Sequence, residues 1–407
     1  MKYKIVLITP GQPATNPRLV KEAIALSHHG FEVTVLYCFW VQWATEFDKK
    51  IIEDNPQITW IETGGNPNLN HYLYYYTRIK HKLFRLLHRY VPNSLSIAIR
   101  AEMRAYSHAL KKAITINADL YIAHNLGALS LAANASKTVG SKYSFDAEDF
   151  HRGQVTNESN EFKRVKLIED NFLPNAAYIS AASPLIATEY ENLYNRKVQL
   201  INNVFSIKYL TQNNKEIHNP ISLFWFSQTV GKGRGLEDVL LALRQFTGRN
   251  FSLTILGKAD ESIKSYFREL ISNKNDNSVI INFIDPVAPD AIFEIAANYD
   301  IGLAIETLGE YNRNICLTNK IFTYLLSGNA IIFSNTPAQE KFFKENIDLG
   351  QMYHSGESNS LAAILKNYLV NIDLLKLHKS NSAKIAATKL NWENEIKSLL
   401  LSIKSVL

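Results

Sequence analysis

Apolar positions along the chain fall into short, nearly continuous runs separated by longer stretches with helical spacing. In the first half such runs predict strands over residues 4–9, 31–37, 119–123, 142–147, 177–182 and 198–203. Pro17 to His29 carries helical spacing, with Gly30 as its stop. Strands that are apolar throughout, rather than alternating, predict a parallel sheet covered by helices on both faces. Residues 204–220 break the rhythm: they are polar and end in Pro220, and read as a connection between domains. A second series follows, with strands over 221–227, 251–257, 279–284, 301–306 and 330–335. Its helices fit 235–246, 260–273, 289–298, 319–327 and 337–345, and Thr336-Pro337-Ala338-Gln339 has capping-box spacing. Residues 376–407 read as helical again. The expected class is α/β, two successive doubly wound domains whose ligand crevices lie at the carboxyl ends of their strands.

Length and composition fit this picture. The 407 residues suffice for two domains, and 46% hydrophobic with 20% charged residues is ordinary for a globular core. Cys38 and Cys316 are far apart, flanked by apolar residues, and form neither a disulfide framework nor a metal-ligand pattern. The first apolar run is too short for a signal peptide, and no eighteen-residue apolar run exists, so a cytoplasmic protein without spanning helices is expected.

The net charge of +6 is local. Between Arg78 and Lys112 there are nine Lys/Arg and one acid, Glu102, a net +8 that leaves the remainder slightly acidic. This argues against nucleic-acid coating and for one charged patch. Arg78, Lys82, Arg85 and Arg89 share a helical stripe, and Ile79, Leu83, Leu86 and Tyr90 repeat it one residue later. Two readings stand: residues 78–112 lie on an anionic membrane surface, on the inner face of the cell membrane, or they form an ordinary helix buried on one face.

Three constellations carry candidate chemistry. Phe226 to Asp238 follows a strand and opens a helix, with Gly231, Gly233 and Gly235 interleaved with Lys232 and Arg234. Backbone that can approach closely, a helix N-terminus and two cations suit a diphosphate; the alternative is a flexible turn. Gln228 and Gly257 join this donor-side set. In the second, Glu306 ends a strand, Glu310 lies in the loop after it, Thr318 can cap the next helix, and Lys320 sits in its first turn against the dipole. The third lies in the first half at strand ends: Gly11, Asn16, Arg18 and Lys21, then His124, then Asp146, Glu148 and Asp149. These can bind polar groups or serve as caps and solvated charge. No Asp-x-Asp occurs, so no metal and no other cofactor is expected, and charge neutralisation falls to Lys, Arg and helix N-termini.

With these motifs in order, the chain resembles bacterial glycosyltransferases of the GT-B fold, family 4 (group 1) type, from cell-surface polysaccharide biosynthesis. The resemblance rests on Asn16-Pro-Arg-Leu-Val-Lys-Glu-Ala, Asp146-Ala-Glu-Asp149, Ala182-Ser-Pro184, Ile201-Asn-Asn203, Ser227-Gln228 with Arg234-Gly-Leu-Glu237, and Asn319-Lys-Ile-Phe-Thr-Tyr-Leu-Leu-Ser-Gly328. It implies two Rossmann-like domains facing across a cleft. Residues 1–204 would form the acceptor domain, with helix 390–407 returning to it, and 205–389 the nucleotide-sugar donor domain. It implies metal-independent, retaining transfer to a glycan or lipid-linked acceptor. Arg234, Lys320 and Glu306 would be catalytic, and Gln228, Gly231, Lys232, Gly233, Gly257, Glu310, Asn319 and Thr323 donor-binding. The acceptor side would take Gly11, Asn16, Arg18, Lys21, His124, Asp146, Glu148 and Asp149. Thr323 stands where the family has a glutamate, and Glu148 where it has a histidine. The alternatives are a nucleotide-sugar 2-epimerase on the same fold, or a non-catalytic scaffold.

Overall fold

The computed structural model describes residues 2–211, 216–272 and 279–407. Residues 212–215 of the expected connection, and the last residue of the expected 260–273 helix, lie outside the described residues. The chain divides into two compact units, residues 1–202 with 396–407, and residues 203–395.

The first unit holds a seven-stranded parallel sheet: β1 (Lys4–Ile8), β2 (Glu32–Cys38), β3 (Thr59–Thr63), β4 (Leu120–His124), β5 (Lys142–Ala147), β6 (Ile179–Ala181) and β7 (Gln199–Leu200). Their order is β3-β2-β1-β4-β5-β6-β7, which reverses between β1 and β4. The second unit holds β8 (Ile221–Thr229), β9 (Phe251–Lys258), β10 (Ile280–Ile284), β11 (Ile301–Ala304), β12 (Ala330–Ser334) and β13 (Gly350–Tyr353), in the order β10-β9-β8-β11-β12-β13. Here the reversal falls between β8 and β11. In such sheets the crevice at the carboxyl ends beside the reversal is where ligands sit.

The central strands are those whose runs were apolar throughout: Ile5 to Ile8 and Leu120 to His124 are fully buried. Two strands escaped the pattern. Thr59-Trp-Ile-Glu-Thr63 and Gly350-Gln-Met-Tyr353 mix polar and apolar residues because each lies at a sheet edge with one neighbour. The 198–203 run contracts to a two-residue strand. The C-terminal stretch is two helices, Ile372–Thr388 and Trp392–Val406. Between them Asn391 donates to Ala386 O (2.8 Å), the Trp392 amide donates to Phe205 O (3.0 Å), and Glu393 accepts from Ser206 Oγ (2.5 Å).

The capping box expected at Thr336–Gln339 does not form. Thr336 makes no side-chain cap, because Gln339 turns instead to the sheet: its Oε1 accepts from Ser334 N (3.1 Å) and its Nε2 donates to Ala304 O (2.8 Å). The glutamine thereby ties β12 to β11 at their carboxyl ends.

One close approach seats the helix that bears Lys320. A Cβ on Gly302 would fall 2.2 Å from the Tyr324 ring. That ring is wholly buried, and its hydroxyl donates to Phe224 O (3.1 Å). Helix Asn319–Leu326 therefore lies on β8 and β11 at a distance only glycine permits. Gly302→Ala is expected to destabilise the second unit by about 1–3 kcal/mol through overpacking, read as a lower denaturant midpoint.

Candidate functional site

Each sheet gathers charged side chains at the carboxyl ends of its strands. In the first unit, Arg18 lies in helix Pro17–His28, capped by Asn16 through Leu19 N (2.9 Å). Its guanidinium forks onto Asp146 at the end of β5, Nε to Oδ2 at 2.6 Å and Nη2 to Oδ1 at 2.8 Å, and Nη1 donates to Ile201 O (2.8 Å). Ser180 donates to the same carboxylate (2.5 Å). His124, at the end of β4, has Nε2 3.3 Å from Glu22 and Nδ1 3.3 Å from Glu148 and 3.4 Å from Asp146. Asn16 Nδ2 donates to Glu148 (2.7 Å).

Arg18, Glu22, His124 and Asp146 are all buried. Burial alone would push the His124 imidazolium down, but Glu22, with Glu148 and Asp146, lifts its pKa to about 10. Burial would push Asp146 up, yet Arg18 and then His124 hold it below the usual carboxylate range. Glu22, His124 and Asp146 bring ligand atoms within 4.8 Å of one another, a spacing suited to a cation, but Arg18 already covers both Asp146 oxygens. Of the residues expected on the acceptor side, these three (Arg18, His124, Asp146) are thus a buried ion network that binds helix Pro17–His28 to β4 and β5. Arg18 and Asp146 spend their donors and oxygens on one another, Ile201 and Ser180, while His124 Nε2 and Glu22 Oε1 are buried without a hydrogen-bond partner among the described residues. Glu148 and Asp149 are half-buried at its edge, Lys21 is half-buried, and Gly11 accepts Cys38 N (3.0 Å), joining the loop after β1 to β2. Asn125, next to His124, has φ +67°, a strained conformation for a non-glycine residue. Glu22 escaped the sequence reading; its signal was the four-residue spacing from Arg18 on one helix face.

In the second unit, three expected residues come together. Lys320 Nζ donates to Glu306 Oε1 at 2.7 Å, and Arg313 Nη2 donates to Glu306 Oε2 at 3.0 Å. Lys320 and Arg234 both lie over the buried Trp225 ring, 5.5 and 5.9 Å from its centroid. Burial would raise the Glu306 carboxyl, but Lys320, Arg313 and Arg234 hold it below the usual range. Burial pushes the Lys320 ammonium down, with Glu306 opposing. Arg234 is half-buried, donates to Ser227 Oγ (3.3 Å), and has no carboxylate at ion-pair distance among the described residues. Arg313, which the sequence reading passed over, comes from helix Tyr311–Ile315. Three cations around one carboxylate leave a net positive charge of two at the ends of β8 and β11.

The remaining donor-side residues divide. A Cβ on Gly231 or Gly233 would meet open space. The Gly233 amide, however, donates to Glu237 Oε1 (2.8 Å) and its carbonyl accepts from Thr307 (3.0 Å). Lys232 is exposed, its ammonium 4.0 Å from the Tyr266 ring centroid. Gln228 is exposed beside a register shift between Phe226 and Thr229 in β8. Glu310 is exposed, and Asn319 accepts from Asn203 (3.0 Å). Two residues expected to bind donor are internal. A Cβ on Gly257 would fall 2.2 Å from Ser227 O, so that glycine serves the contact between β9 and β8. Thr323 is buried, and its hydroxyl donates to Asn319 O (3.2 Å) within its own helix.

No protein-family model matches the chain, and no curated protein does. Solved structures do. Anabaena HepE, in complex with UDP, shares 17% identity with a TM-score of 0.70 over 100% of both chains. A glycosyltransferase from Rickettsia africae shares 15% identity with a TM-score of 0.69, over 100% of this chain and 98% of that one. Sucrose-phosphate synthase from Thermosynechococcus elongatus shares 12% with a TM-score of 0.67 over 99% of both. At these identities the likeness establishes the fold, two Rossmann-like domains of the GT-B class.

The first-unit network has a signed pH signature. His124 is raised above its unfolded value, so its contribution is complete below about 6.5 and is lost as pH rises through about 10. The urea midpoint of the first unit is expected to fall across that window. His124→Gln should lower the midpoint at pH 6 and flatten the decline; parallel profiles for both proteins would remove the network's role.

Proposed function

We propose that the chain is a glycosyltransferase that takes a sugar from a nucleoside diphosphate held on the second unit and passes it to an acceptor on the first. The observation that carries this is Arg234: a half-buried guanidinium with no carboxylate at ion-pair distance among the described residues, beside the Lys320–Glu306–Arg313 cluster. It stands at the strand ends beside the sheet's reversal, where this class of fold binds ligands. HepE, which shares the fold, was solved in complex with UDP.

In the reaction the bond between the anomeric carbon and the β-phosphate oxygen breaks, and its electron pair leaves with the nucleoside diphosphate. The acceptor oxygen bonds to the anomeric carbon, and its proton passes to the released phosphate or to water. Negative charge grows on the diphosphate, and fixed cations already in place stabilise it without reorganisation. Arg234 suits this through its two-pronged donors. Lys320, neutralised in part by Glu306, supports the field and orders the loop. Transfer without a metal is the reading that this cationic arrangement supports; retention at the anomeric carbon is what the resemblance to family 4 enzymes implies.

Arg234→Ala is expected to lower turnover about 100-fold and to weaken UDP binding in calorimetry, with unchanged far-UV circular dichroism. Hydrolysis of a donor panel, read as free nucleotide, identifies the base and sugar. Normal donor affinity and rate in Arg234→Ala would remove the assignment, and an epimerised sugar recovered from donor alone would mark the epimerase instead.

The acceptor is lipid-linked in this reading, and the first unit rests on an anionic leaflet. No helix among the described residues is long and apolar enough to cross a membrane. Helix His71–Tyr90 instead turns Tyr74, Thr77 and His88 inward and leaves its apolar stripe in solvent, with Ile79 69% and Tyr90 78% exposed and Leu83 and Leu86 exposed between them. The helix contains no acid, and Arg78, Lys82, Arg85 and Arg89 flank the stripe. Trp40, Trp43 and Tyr72 are exposed as well. An apolar stripe flanked by cations matches an anionic headgroup layer. Ile79→Glu with Leu83→Glu should abolish sedimentation with phosphatidylglycerol vesicles at low salt while leaving the fold intact. Undiminished sedimentation would return the helix to a purely structural role.

A further inference from the structure

The inward side of the same helix closes a cavity of about 210 Å³ against helices Leu95–Glu102 and Tyr106–Ile116. Its lining includes Lys80, Arg100, Arg104 and Lys111, and no acid. The acid nearest in sequence, Glu102, is turned away to Arg164 (2.6 Å). Among the described residues, none of the four cations has a carboxylate at ion-pair distance.

Three of these cations, Arg104, Arg100 and Lys80, are held by their neighbours. Arg104 donates to the carbonyls of Gly64 (2.7 Å) and Phe39 (3.1 Å) and to Thr77 Oγ1 (2.6 Å), which fixes it where the chain leaves β2 and β3. Arg100 lies 5.7 Å from the centroids of both Phe84 and Tyr106, and Lys80 5.6 Å from that of Tyr76. Lys111 is exposed. His108 Nδ1 accepts the Gly64 amide (3.1 Å), which leaves its Nε2–H a neutral donor. Leu73, Phe84 and Met103 make the rest of the wall apolar.

Four positive charges with no carboxylate at ion-pair distance among the described residues, three of them over aromatic rings and Glu62 acting on Arg104 only from farther off, favour a multivalent oxyanion in this partly enclosed space. The apolar wall and the exposed stripe on the outer side of the same helix add a place for hydrocarbon. We propose that this cavity seats the phosphate or diphosphate head of an amphiphile whose chain lies in the bilayer beneath helix His71–Tyr90. A prenyl-type diphosphate and a phospholipid headgroup share this chemistry. That the amphiphile is the sugar acceptor rests on the glycosyltransferase reading; the binding itself does not. The cavity lies beside the carboxyl ends of β2 and β3, on the strand-end edge where the first unit also carries Glu148 and Asn16.

The test is calorimetric titration of the full chain with farnesyl diphosphate, inorganic pyrophosphate and vesicles of phosphatidylglycerol, with UDP titrated in parallel. Farnesyl diphosphate is expected to bind more tightly than pyrophosphate. Lys80→Ala and the exposed-site variant Lys111→Ala should each weaken it about tenfold, equivalent to 1.4 kcal/mol. Arg85→Ala and Arg89→Ala, on the outer face, should weaken vesicle binding and leave farnesyl diphosphate affinity unchanged. No binding of farnesyl diphosphate at millimolar concentration together with vesicle binding indifferent to Lys80 and Lys111, or equal losses in all four variants, would overturn the cavity as a site. Vesicle binding that depends on Lys80 and Lys111 without any farnesyl diphosphate binding would assign the head to a phospholipid and remove the acceptor. Loss of UDP binding with farnesyl diphosphate binding intact would fall on the donor reading alone.

Discussion

In a parallel sheet covered on both faces, charged side chains can leave the interior only at the strand ends. The charge clusters at the two sheets follow from that constraint. Glu306 and Lys320 illustrate it: a carboxylate just beyond β11 and an ammonium in the first turn of the next helix meet at 2.7 Å. Lys320 is unfavourably placed against the helix dipole, and the carboxylate offsets that cost. Arg313 meets the same carboxylate at 3.0 Å, and the Arg234 charge acts on it as well.

The two units use the same geometry to opposite electrostatic ends. In the first, Arg18 and protonated His124 face Glu22, Asp146 and Glu148, so charge is balanced to within one unit and almost all of it is buried. Such a network holds elements together but offers little to a ligand. In the second, three cations face one carboxylate, and Arg234 keeps donors unused. A surplus of fixed positive charge at strand ends is what a departing diphosphate requires. The first unit places its own surplus elsewhere, around the cavity behind helix His71–Tyr90, where Lys80, Arg100, Arg104 and Lys111 have no acid among them. Charge excess rather than charge density separates the regions proposed to bind from the structural ones.

Helix His71–Tyr90 shows where periodicity misleads. Its stripe of Ile79, Leu83, Leu86 and Tyr90 has the spacing of a core face, yet the side turned inward is Tyr74, Thr77 and His88. The inward choice is made by polar contacts: Thr77 donates to Gly64 O (2.9 Å), and His81 Nε2 meets Ala101 O (2.9 Å). These partners come from segments distant in sequence. An apolar face left in water by such a choice needs another surface to cover it.

The order of strands and helices, the central apolar strands, and the gathering of Arg234, Glu306 and Lys320 were legible in the sequence, because buried strands and strand-end loops leave local patterns of composition. Edge strands β3 and β13 were not, since their residues mix polar and apolar types, whereas the edge strands β7 and β10 fall within runs apolar enough to show. Tertiary structure alone decided which charges would be consumed. Arg18, His124 and Asp146 look like ligand-binding groups one by one, and Gly257 and Thr323 like parts of a donor pocket. Their partners lie up to 183 residues away in the chain, as Ile201 does from Arg18. Residue type and spacing define what a side chain can bind, but only the folded chain determines which partner reaches it first.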